Sequence, residues 1–350
     1  MSENRLKTAV LGLNDKGQVM LEAAAGIEQF EIAAVADKDT KLAEETALRY
    51  NCKAYDDYRQ LIIQNQFDCL LVAAGMHSCG QYIKAAMKKK FNILKLAPPA
   101  RNFEEAVEFV QLAEDENIKF AVGNPSRFAQ SFVTLQQFLE QGKIEQIFLV
   151  SAFWAIGNEQ HPSWQTDPKL AGGGVLLHNC YDIIDQIVCN FATPQQVYSL
   201  NTNTAGDRQQ RLYLTEDTVV VTMKFADSSF GNLIASKVFG PEEKLLKLYG
   251  KDKIITVSDT GLAISDCLGQ VTEELKYDDD ELRCITKQLK NFASSILSPD
   301  KNKLCSSGTE NLKDMAVIES AYLSARTGMP EEPGKILEMA SRHTGKPINI

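Results

Sequence analysis

The chain has no apolar run approaching the roughly 20 residues that a membrane span needs, no CxxC pair, no excess of basic charge, and no internal repeat or low-complexity tract. Each absence excludes a class. Without a long apolar run, and with a polar start over residues 1–7 that carries no secretory signal pattern, a cytoplasmic protein with no membrane partner is expected. The eight cysteines are scattered, so neither a disulfide framework nor a zinc knuckle is expected, and Cys69 and Cys189, in apolar runs, read as reduced core residues. A formal net charge of -9 and a pI near 5.2 argue against nucleic acid or anionic membrane, which require a basic face. Lys88-Lys89-Lys90 is the one basic run, and at the end of a helical stretch it reads as a solvated helix terminus that suits the helix dipole.

What is present points to two domains: 350 residues, 44% hydrophobic and 24% charged, are ample for a large core. The first 25 residues organise the rest. An apolar strand over residues 8–11 runs into Gly12-Leu13-Asn14-Asp15-Lys16-Gly17 and then a helical stretch over 18–25. A strand that ends in a glycine turn and opens a helix aims backbone N–H groups at an anion, the phosphate-binding half of a dinucleotide fold. Asp37 closes a second apolar run, 32–36, twenty residues after Gly17, about where an acidic side chain meets the ribose 2'-hydroxyl. The middle glycine of the fingerprint is replaced by Asn14, the non-glycine residue that best tolerates a left-handed backbone, so the turn can form with a side chain added near the pyrophosphate.

Further strands over 69–74, 92–96 and 120–123 alternate with amphipathic helices such as 103–117, which predicts a parallel sheet with right-handed crossovers. After Asn124-Pro125 the character changes. A helix over 129–141 leads into longer strands at 147–154 and 218–225, a hairpin of 245–248 with 254–257, and late helices at 282–297 and 309–326 that should cover the second sheet or pack back on the first domain. Within 218–225, Val219, Val221, Met223 and Phe225 share one face, fit for core or interface. The fold class is therefore α/β: a Rossmann dinucleotide-binding domain over residues 1–123, then an α+β domain with a large, mostly antiparallel sheet over 124–350.

These pieces in this order resemble the glucose-fructose oxidoreductase, inositol dehydrogenase and MocA family over nearly the whole chain. The resemblance is carried by Tyr55-Asp56-Asp57-Tyr58 with Leu61, by Arg127-Phe128, by Ala171-Gly172-Gly173-Gly174, and by the ending from Ile318 to Gly328. It implies an NAD(P)-dependent oxidoreductase that passes hydride between nicotinamide and a small molecule, a sugar, polyol or related hydroxy compound, and a homo-oligomer, dimer or tetramer, formed through an open-faced second-domain sheet. It places Gly12, Leu13, Asn14, Gly17, Asp37, Lys38, Ala74, Gly75, Leu96 and Ala97 at the cofactor. Asp37 favours NAD by bonding the 2'-hydroxyl and repelling a 2'-phosphate, while Lys38 beside it leaves NADP open.

The sequence also departs from the family pattern. The Glu-Lys-Pro that usually closes the fourth strand falls on Leu96-Ala97-Pro98, so its lysine is gone. The third strand's Thr-Pro-Asn and following histidine fall on Ala74, Gly75, Met76 and Cys79. Where the family has Asp-x-x-x-His after the glycines, this chain has His178 and Asp182, with Asp185 still acidic; four apart on a helix they share a face, so an imidazole oriented by a carboxylate remains with roles exchanged. His178 is thus the expected proton-transfer group. Lys95, two residues before Ala97, lies about 6.6 Å short along the strand and is expected to face solvent or pack on a helix. His77 and His161 fall in expected loops, His161 near the substrate entrance. No metal is expected, because His178, Cys180 and Asp182 point to different sides of a helix. The departures leave a second reading in view, a protein that kept the fold as a dinucleotide- or metabolite-binding regulator.

Overall fold

The structure, a computed structural model, describes residues 5–157, 162–204, 214–238 and 240–344, which divide into two compact units. The first unit comprises Met1–Ala100, Glu105–Phe128 and Asp280–Gly308. Its strands and helices alternate, five strands where the apolar runs place them and a sixth, β3, that no apolar run marks: β1 (Leu6–Leu11), α1 (Asp15–Ala25), β2 (Phe30–Ala36), α2 (Thr40–Tyr50), β3 (Lys53–Tyr55), α3 (Tyr58–Gln64), β4 (Cys69–Val72), α4 (Met76–Lys88), β5 (Asn92–Leu96), α5 (Phe103–Asp115) and β6 (Phe120–Gly123). The six strands are all parallel in the order β3-β2-β1-β4-β5-β6, a doubly wound sheet. β4 and β6 are buried at every position, which is why they read as unbroken apolar runs and not as alternation. Helix starts follow side-chain capping: Asp39 accepts from Leu42 N at 3.1 Å for α2, and Asp57 from Arg59 N at 2.7 Å for α3. The basic run is only partly solvated, contrary to expectation. Lys88 and Lys90 are exposed, but the Lys89 ammonium turns onto the carbonyls of Ile62, Ile63 and Asn65 and closes the C-terminal end of α3.

The second unit comprises Arg101–Glu104, Ala129–Asp279 and Thr309–Ile350. It holds α6 (Gln130–Glu140), β7 (Leu149–Ala155), the short helices α7 (Pro168–Ala171) and α8 (Val175–His178), then α9 (Tyr181–Phe191). Seven further strands follow, β8 (Gln196–Thr202), β9 (Thr218–Lys224), β10 (Phe230–Ser236), β11 (Glu243–Tyr249), β12 (Lys253–Ser258), β13 (Gly261–Asp266) and β14 (Val271–Lys276). They form an eight-stranded sheet in the order β14-β13-β12-β11-β7-β10-β9-β8, antiparallel throughout except where β7 meets β10. The expected hairpin is β11 with β12. In β9, Val219, Val221 and Met223 are buried while Val220, Thr222 and Lys224 are exposed, so the apolar row that fitted core or interface is core. Cys69 is buried as expected, but Cys189 is exposed in the last turn of α9, whose apolar stripe passes through Ile183, Ile184, Ile187 and Val188 instead.

The chain then returns to the first unit as α10 (Glu281–Leu297), before α11 (Gly308–Thr327) and α12 (Pro333–Thr344). α10 lies along α1, and Ile285, Leu289, Phe292 and Ala293 enter the same apolar cluster as Met20, Leu21, Val10 and Leu71. A helix so far along the chain is thus a wall of the dinucleotide-fold core. Phe292→Ala should therefore cost about 3–5 kcal/mol in urea unfolding of the whole chain. A loss under about 1 kcal/mol would show that α10 is not a core element.

Candidate functional site

At the end of β1 the backbone turns sharply. Gly12 has φ +91°, and a Cβ there would lie 2.4 Å from Ala74 N, so residue 12 cannot carry a side chain. A Cβ on Gly17 would lie 2.2 Å from Gly12 O, which keeps α1 tight against the strand. Asn14 departs from the expectation of a left-handed residue: φ -61° and ψ 176° are extended, and Gly12 supplies the left-handed step instead. Its side chain is used inside the turn. Oδ1 accepts from Gly17 N at 2.9 Å as the cap of α1, and Nδ2 donates to Ala73 O at 3.2 Å, tying the turn to the segment after β4. The first amides of α1, Asp15 and Lys16, lie ahead of the helical ladder and are available to an anion.

Asp37, just after β2, is anchored by both oxygens, Oδ2 accepting from Leu13 N at 2.7 Å and Oδ1 from Asp39 N at 3.0 Å. An ionised carboxylate has about four acceptor sites, so two remain for a diol. Lys38 is exposed. His77, expected in a loop, is the second residue of α4, where burial and the Lys38 charge lower its pKa. Gly75 is the N-cap of α4, and Ala74 is the residue against which Gly12 packs. Gly12, Leu13, Asn14, Gly17, Asp37 and Ala74 therefore gather at the carboxyl end of β1, with Lys38 and Gly75 flanking. Leu96 and Ala97 lie farther along the sheet edge, at the end of β5. The Leu96 side chain belongs to the core and its carbonyl accepts from Lys95, and Ala97 N donates to Gly123 O at 3.2 Å.

Lys95 contradicts its expectation. It is neither solvent-facing nor laid on a helix surface: only 3% exposed, it bends forward so that Nζ donates to Leu96 O at 2.6 Å and Pro98 O at 3.4 Å.

In the second unit the three glycines permit close packing. A Cβ on Gly172 (φ +81°) would lie 2.0 Å from Arg101 O, and one on Gly173 would lie 2.0 Å from the Tyr322 hydroxyl. The turn is held by a residue that no motif announced, Glu216. Its carboxylate accepts from Gly174 N at 2.7 Å, Leu176 N at 2.9 Å and the Tyr322 hydroxyl at 2.8 Å, so it caps α8. Burial pushes the Glu216 pKa up, against the pull of those three bonds. α8 ends on His178, whose ring Nε2 lies 3.0 Å from Ala171 O and whose edge meets Trp164 at 5.4 Å between centroids. A carbonyl only accepts, so Nε2 carries the proton and Nδ1 is the basic nitrogen.

His178 and Asp182 do not share one helix, which corrects the expectation of a common face. The helix stops at His178, Asn179 and Cys180 intervene, and α9 starts at Tyr181. Asp182 Oδ2 receives the Lys244 ammonium, which also lies 3.1 Å from Asp259 Oδ1 and 5.0 Å over the Trp154 ring. Burial alone would lower the Lys244 pKa, but the two carboxylates outweigh it and hold it above the ordinary lysine value. Asp185 is fully buried in α9. His161 lies outside the described residues. Lys244 and Glu216 escaped sequence reasoning because strand register and tertiary capping bring them to the site, and neither leaves a local spacing signal.

The profile of the oxidoreductase family with an NAD-binding Rossmann fold matches residues 6–124, and that of the GFO/IDH/MocA C-terminal domain matches residues 132–256. The chain belongs to the GFO/IDH/MocA oxidoreductase family. Among relatives, an uncharacterized oxidoreductase of Schizosaccharomyces pombe is 25% identical over 213 residues, spanning 58% of this chain but only 56% of that protein. The myo-inositol 2-dehydrogenase of Thermotoga maritima is 21% identical over 85% of this chain and 92% of that one. A solved levoglucosan dehydrogenase, in complex with NADH and levoglucosan, superposes with TM-score 0.85 at 16% identity, over 94% of this chain and 99% of the other. At that identity the likeness speaks for the fold. No described helix is long and apolar enough to cross a membrane.

In this family member Glu216→Gln would set an NH2 group against one of the donors the carboxylate now receives. The expected loss is about 1–3 kcal/mol, read from urea unfolding. An unchanged midpoint would remove Glu216 from the support of the glycine turn.

Proposed function

We propose that the chain transfers hydride between NAD and the CH–OH group of a sugar, polyol or related hydroxy compound. The observation that carries this reading is the β1–α1 turn: a left-handed glycine against Ala74, open helix amides beyond it, and Asp37 fixed by two backbone N–H groups with acceptor sites to spare. The residues fit a dinucleotide. Gly12, Leu13, Asn14 and Gly17 shape the diphosphate cradle, Asp37 takes the adenosine ribose with Lys38 beside it, and Ala74, Gly75, Leu96 and Ala97 offer small side chains or backbone to the remainder. The bound nicotinamide supplies the hydride acceptor or donor. His178, protonated on Nε2 and basic on Nδ1, takes the hydroxyl proton in the oxidative direction. Asp182, already neutralised by Lys244, serves as hydrogen-bond acceptor to a substrate hydroxyl, and enclosed Asp185 supports it from within α9. The scattered cysteines, without a CxxC pair, suit a reducing compartment such as the cytoplasm.

The family's oligomer follows the same reasoning. On the face of the second sheet opposite its core, Leu200, Val220, Ile234, Phe153 and Leu245 stand side by side across five strands in register. Leu200 is 58% exposed, and Val220 and Ile234 37% each. This apolar row is the surface through which two copies pair.

Fluorescence titration with NADH and NADPH tests the cofactor reading. NADH should bind the more tightly, and Asp37→Ser should narrow or reverse the preference; no response to either at millimolar concentration would defeat the proposal. With a sugar and polyol panel, His178→Ala should lower kcat about 100-fold or more, and an unchanged rate would remove His178 from proton transfer. Ile234→Glu should shift the mass measured by light scattering from oligomer to monomer; a wild-type chain monomeric at micromolar concentration would end the pairing proposal.

A further inference from the structure

The strand order gives a bound dinucleotide a direction along the carboxyl edge of the first sheet. Asp37 at the end of β2 marks the adenosine ribose and the α1 opening marks the diphosphate. The second nucleoside must then run past β4 toward β5, two strands from β1, or about 10 Å at the usual strand spacing. Ala74, Gly75, Leu96 and Ala97 offer no polar side chain on that stretch. Lys95 does. It comes from within β5, yet its stem carries Nζ forward to the carbonyls of Leu96 and Pro98, on either side of Ala97.

Those carbonyls occupy two of the three N–H donors. The residue is only 3% exposed, and the Glu105 carboxylate is the acidic side chain whose charge favours the ammonium. Enclosing a cation is expensive even with that charge nearby, and a third donor aimed at an oxygen would offset part of that cost. We propose that Lys95 is a cofactor-binding residue, its third N–H donating to an oxygen on the nicotinamide side of the bound dinucleotide. Position 95 thereby provides a cation where Ala97 provides none. This rests on the dinucleotide reading above. Burial lowers the Lys95 pKa and Lys16 adds to the effect, with Cys79 and Glu105 opposing, so the amine sheds its proton below the ordinary lysine range.

The test compares NADH with ADP, which carries the adenosine and diphosphate but no nicotinamide half. Lys95→Met should weaken NADH about tenfold or more, the usual weight of a charged hydrogen bond, and leave ADP within about twofold, while Lys95→Arg recovers part of the loss. In the wild-type protein the cation is present at lower pH, so the preference for NADH over ADP should decline as pH rises through the depressed Lys95 pKa. Unchanged NADH affinity in Lys95→Met overturns the proposal, and so does an equal loss for NADH and ADP, which would make Lys95 only a brace for the 96–98 turn. If Lys95→Met does not fold, a pH-independent preference in the wild type overturns it equally. Absence of NADH binding to the wild type would instead sink the dinucleotide reading itself.

Discussion

The first unit is governed by a contact that admits no side chain. Gly12 lies so close to the backbone of Ala74 that the ends of β1 and β4 meet through main chain alone, and Gly17 repeats the condition one helical turn later against Gly12 O. With those two distances fixed, α1 must start where it does, its first amides pointing off the sheet edge. Asp37 is held to the same turn by Leu13 N. The glycine turn and the Asp37 carboxylate are therefore held together as one piece by hydrogen bonds within the chain.

In the second unit a carboxylate performs the comparable service. Glu216 gathers two amides and a phenol around the glycine turn and fixes the start of α8, while the end of α8 fixes His178. The ring is then constrained from two sides, by Ala171 O on Nε2 and by Trp164 on its edge, so tautomer and orientation are set by packing. Asp182 is constrained independently by Lys244. The imidazole and the carboxylate that sequence spacing joined into one pair are supported by different neighbours.

Much of the architecture was legible because burial leaves a periodic trace. The unbroken apolar runs of β4 and β6, the two-residue alternation of β9 and the Gly328 stop of α11 all report which side of an element is covered. The site was legible to the extent that it is backbone chemistry: Gly12 and Gly17 announce tight approach, and Asp37 lies at a readable interval. What escaped depends on side chains reaching out of their own element. Lys95 looked solvent-facing or helix-packed because a shift of about 6.6 Å along the strand weighed against its stem reaching forward, and Lys89 looked solvated although it closes a neighbouring helix. Asn14 looked like a substitute for a left-handed glycine, although its local role is capping. The break between His178 and Tyr181 has no proline or glycine to mark it.

The membership of α10 in the first core has a bearing on biosynthesis. A ribosome has already delivered β1 to β6 when residue 128 is complete, yet the stripe of α1 that Leu289 and Phe292 cover waits for residues 280–308. At synthesis rates of about 5–20 residues per second, that wait is on the order of ten seconds. Throughout it the apolar face of α1 lacks the helix that covers it in the finished fold.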